Sequence, residues 1–152
     1  MEFLGHTLSN KGLRPSDEKI KAISQISAPT TKKGVQSFLG LAGFYKRYIK
    51  DFSKKSHELR QLTKKNFDFV WTDRHCSDFE DIKSELVKAP ILAYPDWDKT
   101  FVIQTDANII GLCAVLMQKH DHGYKVVEYA SRSTTSCESR YSISELECAA
   151  VV

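Results

Sequence analysis

A carboxylate closes an apolar run in this chain, and that placement limits what the surrounding segment can become. Phe101-Val102-Ile103 leads through Gln104 into Thr105-Asp106-Ala107. Aromatic and β-branched residues in such a run read as a buried strand. A charged side chain at the end of a buried strand is costly unless something pairs with it, and a bound cation is a common reason to find one there. Downstream, Glu145-Leu146-Glu147 sets two carboxylates in a segment whose Tyr141, Ile143, Leu146, Ala149 and Ala150 suit a helix. One of these beside Asp106 makes half of an oxygen-donor site suited to Mg²⁺ and to phosphodiester hydrolysis.

The segments before the strand are mostly helical in pattern. Residues 2–14 read as a hairpin around Asn10-Lys11-Gly12, a turn that tolerates positive φ. A hairpin this short needs support from elsewhere. Ser16 is a candidate N-cap for a helix with Ile20, Ile23 and Ile26 on one face, ending at Ala28-Pro29. Thr30-Thr31 caps the next, expected over Val35–Lys50, with Val35, Phe38, Leu39 and Ala42 facing a core. Gly40 and Gly43 are poor helix residues, so something is expected to approach that backbone closely. A third helix is expected from Ser53 to Leu62. The alternation Phe67, Phe69, Trp71 reads as a short strand, and Thr72-Asp73 opens a helix with Phe79, Ile82 and Leu86 inward. Tyr94-Pro95-Asp96 is loop-like. Beyond it, Phe101–Thr105, Gly111–Gln118 and Tyr124–Ser131 read as three strands in meander, with a turn at His120-Asp121-His122-Gly123. A helix preceded by Ser136 or Cys137 follows. That is the start of an α/β layer.

Charge divides the chain at a similar place. Residues 1–70 carry 14 Lys+Arg against 6 Asp+Glu, and residues 71–152 carry 8 against 13. A basic half suits a phosphate backbone and an acidic half suits a divalent cation, or the two are simply unevenly charged solvated surfaces. The cysteines, Cys76, Cys113, Cys137 and Cys148, have no C-x-x-C or zinc spacing and read as reduced thiols. No signal peptide or 18-residue apolar stretch is visible, so an intracellular place, cytoplasmic or particle-associated, is expected with no membrane partner.

Eight segments then occur in a telling order: Phe3-Leu4-Gly5-His6, Ser37-Phe38-Leu39-Gly40-Leu41-Ala42-Gly43-Phe44-Tyr45, Phe69-Val70-Trp71-Thr72, Ala89-Pro90-Ile91-Leu92, Pro95-Asp96, Gln104-Thr105-Asp106-Ala107, Ala130-Ser131-Arg132 and Tyr141-Ser142. Together they resemble the Pol polyprotein of gypsy-type LTR retrotransposons, from the end of the reverse transcriptase palm through the thumb into ribonuclease H. The resemblance implies an α+β fold: a helical thumb subdomain with a short N-terminal hairpin, then a truncated ribonuclease H-like α/β domain of three antiparallel strands and one helix. It implies a primer-grip-like hairpin at 1–14, thumb and linker at 15–95, and the N-terminal half of ribonuclease H at 96–152.

Roles follow from the same resemblance. Asp106 and Glu147 match catalytic carboxylates that hold Mg²⁺, with Glu145 the lesser candidate. Gly5 and His6 match the hairpin that grips the primer terminus. Gln36, Gly40, Phe44 and Arg47 recur at three or four residues and would share the helix face laid along a duplex. Lys46, Arg47, Lys50, Lys54 and Lys55 would neutralise phosphates. The implied partners are an RNA/DNA hybrid or duplex and the rest of the polyprotein, with no small-molecule substrate.

The family's Tyr-x-Asp-Asp site and two further aspartates are absent from this sequence, so the resemblance implies a fragment inactive alone. The expected alternatives are a non-catalytic nucleic-acid-binding module and a functionless translated remnant. Missing later strands would leave Phe101–Asp106 as an apolar sheet edge prone to aggregation. Departures from the family pattern are Gly34 in place of a capping Glu, Cys113 in place of Gly, and Thr134 in place of an apolar residue.

Overall fold

The computed structural model describes residues 1–121 and 123–152. His122, in the turn expected between the last two strands, lies outside the described residues. The chain begins with three antiparallel strands in the order β1 (Glu2–Phe3), β2 (His6–Ser9) and β3 (Gly12–Pro15). The turn around Asn10-Lys11 is where the sequence places it. A second tight turn was not anticipated: Leu4 (φ 48°) and Gly5 (φ 77°) join β1 to β2 and pair Phe3 with His6. Positive φ at both positions matches the twist of the flanking strands, but leucine is not a residue that advertises it.

The little sheet finds its support within the chain. Leu13 and Leu92 exchange two backbone hydrogen bonds of 2.8 Å, an isolated antiparallel bridge. Gly12 (φ 136°) makes this possible, because a Cβ there would stand 2.1 Å from the Leu92 carbonyl oxygen. The Tyr45 hydroxyl donates to the Gly5 carbonyl at 3.2 Å.

The helices follow, shorter than their sequence patterns suggest. Helix α1 (Asp17–Ser24) is capped by Ser16, whose side chain accepts from the Lys19 N–H, and it stops before Ala28-Pro29. Helix α2 (Lys32–Phe44) is capped by Thr31, which accepts from the Gly34 N–H at 3.1 Å. It ends at Phe44 rather than Lys50. Tyr45, Tyr48 and Ile49 each donate to the carbonyl three residues back, and Lys46–Tyr48 is a 3₁₀ turn. Gly43 weakens the last α-turn, and this tightening follows it. The expected third helix is two short ones, α3 (Phe52–Lys55) and α4 (His57–Leu62), broken at buried Ser56. The Ser56 hydroxyl donates to the Phe52 carbonyl at 2.6 Å and accepts from Arg60 Nε at 3.0 Å.

Residues 67–71 alternate but form no strand. Phe69 and Trp71 instead pack on the helical core, Trp71 edge-on to Phe79 at 6.1 Å. Helix α5 (Asp73–Val87) buries Phe79, Ile82 and Leu86 as expected. Its cap includes a Thr72 N–H to His75 Nδ1 bond of 3.1 Å.

Strands β4 (Phe101–Ala107), β5 (Gly111–His120) and β6 (Gly123–Ser133) form the antiparallel meander in that order. Helix α6 (Ile143–Val151) packs on β4 and β5 and buries Leu146. Its cap is Ser142, not Ser136 or Cys137; residues Glu138–Arg140 make a separate 3₁₀ turn and Tyr141 stays outside the helix. Strand β4 is an edge strand and is not buried: Ile103, Gln104 and Asp106 are exposed. The fold is α+β: a small N-terminal sheet, a helical part, and then a second three-stranded sheet with α6.

The two parts share a core. Val126 and Tyr129 of β6 pack against the cluster that includes Ile23, Phe38, Tyr48, Leu59, Phe79 and Leu92. Buried Gln118 ties the connecting loop to β5, accepting from the Asp96 N–H (2.9 Å) and donating to the Asp96 (2.7 Å) and Lys99 (3.3 Å) carbonyls.

Candidate functional site

Asp106 is carried near the end of β4, and Glu147 faces it from the second turn of α6. Both line one groove with Thr105, Ser144, Cys148 and Val151. Glu145 does not join them. Its carboxylate accepts from the Ser142 N–H at 2.8 Å and the Ser142 hydroxyl at 2.9 Å, closing a capping box. Those bonds, from backbone first and side chain second, hold its pKa below the usual carboxylate range. The sequence named Glu147 from a motif; the cap supplies the physical reason that Glu145 is engaged elsewhere.

Asp106 is not the buried charge the sequence suggested. Its side chain is 67% exposed, and the cation beside it is Lys54 of α3, Nζ to Oδ2 2.5 Å. The Lys54 hydrogen bond keeps the Asp106 carboxyl below the ordinary range against a smaller opposing effect of burial. Lys54 and Lys55 were expected on phosphates, yet Lys55 pairs with Glu85 at 2.8 Å. Only tertiary packing reveals these partners.

The Asp106 and Glu147 carboxylates are solvent-accessible hard oxygen donors of the kind that suits Mg²⁺, and Cys148 beside them is a softer group that Mg²⁺ does not favour. They make an incomplete shell, since no group of three or more His, Cys, Asp or Glu among the described residues could hold a metal ion. The pair fits as half of a site.

The second cluster lies where the N-terminal hairpin meets the end of α2. His6 stacks on Phe44 at 5.5 Å and 21°, meets Tyr45 edge-on, and its Nδ1 is 2.9 Å from the Tyr48 hydroxyl. Burial first, then the Arg47 charge, lowers the His6 pKa, favouring the neutral ring. Burial pushes the Tyr48 phenol up to about 12. Tyr45 and Tyr48, both buried, were not singled out in the sequence. Their spacing with Ile49 on one face was the available signal.

Gln36, Gly40 and Phe44 do share an exposed face, with Phe44 57% exposed. A Cβ at Gly40 or Gly43 would meet nothing within 4 Å, so among the described residues nothing makes the close approach the glycines suggested. Lys46 and Lys50 are exposed beside this region. Arg47 leaves the group: it sits in the 3₁₀ turn and reaches across to Glu128 of β6 at 3.0 Å. About two-fifths of each side chain remains exposed, so this pair is worth little in stability, but it engages the guanidinium with β6.

A profile of the family described as the RNase H-like domain found in reverse transcriptase matches residues 71–152. The chain belongs to that family. Its relatives include the retrovirus-related Pol polyprotein from transposon 412 of Drosophila melanogaster, 39% identical over 149 residues, which is 98% of this chain and 12% of that protein. The transposon Tf2-3 polyprotein of Schizosaccharomyces pombe is 33% identical over 153 residues, all of this chain and 12% of its own. The chain thus spans about 12% of the length of these relatives. Among solved structures, it is similar to the foamy viral protease-reverse transcriptase dRH in complex with ds DNA, at 27% identity and a TM-score of 0.84, covering 99% of this chain and 27% of that one. It is also similar to the foamy viral protease-reverse transcriptase in complex with RNA/DNA hybrid, at 27% identity and a TM-score of 0.81, covering 99% and 21%.

The matched residues 71–152 take in α5, the β4–β6 meander and α6. No helix among the described residues is long and apolar enough to cross a membrane.

Proposed function

We propose that this chain is the thumb-to-nuclease portion of a retrotransposon Pol polyprotein. In that reading it binds an RNA/DNA hybrid or duplex and contributes Asp106 and Glu147 to a Mg²⁺ site. The supporting observation is that these two carboxylates, from different elements, line one groove. When bound there, Mg²⁺ would supply an activated water and charge stabilisation for phosphodiester hydrolysis. The chain's own part is to present oxygen donors and to lay a duplex beside them. Two carboxylates hold Mg²⁺ weakly, so no cleavage is expected from this chain by itself. We also propose the division into a 1–14 hairpin, a 15–95 thumb and linker, and a 96–152 nuclease-like part.

The proposed duplex surface is Gly5, His6, Gln36, Gly40 and Phe44, flanked by Lys46 and Lys50. Open space over Gly40 lets a sugar-phosphate backbone come close, and exposed Phe44 offers a ring to pack on a sugar. A non-catalytic binding module is the second reading. It is favoured by the Lys54–Asp106 pair, which already satisfies the carboxylate without metal.

Binding of a labelled RNA/DNA hybrid, followed by anisotropy across a salt series, tests the duplex surface. Removing both Lys46 and Lys50 (to alanine) is expected to flatten the log K against log salt slope by about 2, at roughly 0.9 per phosphate contact. Arg47→Ala is expected to change it much less, because that guanidinium is committed to Glu128. An unaltered slope in the double lysine variant overturns the surface.

A further inference from the structure

We propose that Lys54 is a resident counter-cation on Asp106 that Mg²⁺ has to displace, so that metal entry depends on how α3 is docked on the sheet. This rests on the metal reading above. The ammonium is not a loosely placed surface charge: the Lys54 side chain is 22% exposed while its partner is 67% exposed. Its position follows from the residue before it. Ser53 is buried, its N–H donates to Ser131 Oγ at 3.0 Å, and its hydroxyl lies 3.9 Å from Cys113 Sγ. The bare face of Gly111 accepts it, since a Cβ there would stand 2.5 Å from Ser53 Oγ. Helix α3 is thereby seated on β5 and β6, and Lys54 is held over the end of β4.

Asp106 also lies between two grooves. One is lined by Lys50 and Asp51 from the chain just before α3, and the other by Ser144 and Glu147 of α6. A dication entering from the Glu147 side meets a carboxylate with Oδ2 already engaged and a positive charge one hydrogen bond away from it. Lysine is a compact, strongly hydrated point charge, so repulsion rather than shared coordination results. Charges of one and two separated by roughly 5 Å in a wetted, salt-screened groove weaken binding about fivefold.

Mg²⁺ titrations of the whole chain, read from the amide NMR shifts of Asp106 and Glu147, test this. Lys54→Met is expected to tighten Mg²⁺ about fivefold, with the gap narrowing as ionic strength rises. Lys54→Gln carries the same expectation through a different side chain, and Lys54→Arg, which keeps the charge, should match the parent. Unchanged Ser53 and Cys113 shifts show that α3 stays seated. Equal affinity in the parent, Met and Gln forms overturns the counter-cation, as does tightening in the Arg form. Absence of any Asp106→Asn-sensitive binding in every form overturns the metal reading with it.

Discussion

Replacing Gly111 with alanine should loosen the joint between the helical part and the sheet. A Cβ at this position would stand 2.5 Å from Ser53 Oγ, 3.0 Å from the Arg132 carbonyl oxygen and 3.3 Å from Ser53 Cβ. None of these is a free chain end. Ser53 is 1% exposed and bonded through its N–H, and the Arg132 carbonyl belongs to β6, whose Arg132 pairs with Leu112. Overpacking of this kind costs about 1–3 kcal/mol, and a backbone neighbour puts it in the upper part of that range. Alanine gains about 0.5–1 kcal/mol over glycine in a strand, leaving a net loss of roughly 1.5–2 kcal/mol. For a chain of this size that lowers Tm by about 3–8 °C. Thermal and urea unfolding followed by circular dichroism read the change. A second substitution, Ser53→Ala, removes the nearest atom, so the two should couple by about 1 kcal/mol in a double-mutant cycle. A Gly111→Ala protein as stable as the parent, or strictly additive effects, would refute the close-docking argument.

Two further perturbations probe the loop and the α6 approach. Gln118→Met keeps the volume but strands the Asp96 N–H and two carbonyls, costing about 1–3 kcal/mol in urea unfolding; an unchanged midpoint contradicts the loop clamp. Glu138 is held down to about 2, first by the Arg132 hydrogen bond and then by the Thr135 N–H. Its depressed pKa contributes stability above the unfolded value near 4.5, lost as pH falls through about 2. A carboxyl ¹³C titration should place its midpoint near 2 and, in Arg132→Gln, return it toward 4.5; a parent midpoint near 4.5 contradicts the pairing.

Local chemistry carried much of the fold. Ser16 and Thr31 cap where their side chains predict, the α5 stripe of Phe79, Ile82 and Leu86 is buried, and the three-strand meander falls within a few residues of its pattern. Failures came where distant partners decide or where the local signature is weak. Phe67, Phe69 and Trp71 alternate like a strand, but helical packing claims the rings. The Leu4-Gly5 turn lacks an Asn-Gly signature. Ser142 gives the α6 cap only when Glu145 is seen to reciprocate it.

The candidate site divides the same way. The Asp106/Glu147 groove was legible from motif order. Lys54, Lys55 and Arg47 were not, because a basic segment looks alike whether it faces phosphate or the acidic residues of its own chain. Three of the cations assigned to a nucleic acid answer Asp106, Glu85 and Glu128 instead. Part of the charge asymmetry between the halves is therefore internal pairing.

Crystals soaked in Mn²⁺, with anomalous scattering recorded at the manganese edge, test the metal half-site most directly. One peak is expected in the groove lined by Asp106 and Glu147, with the Lys54 ammonium moved away, and its loss in Asp106→Asn. Anomalous density only at other surface carboxylates, with Lys54 still on Asp106, would contradict it.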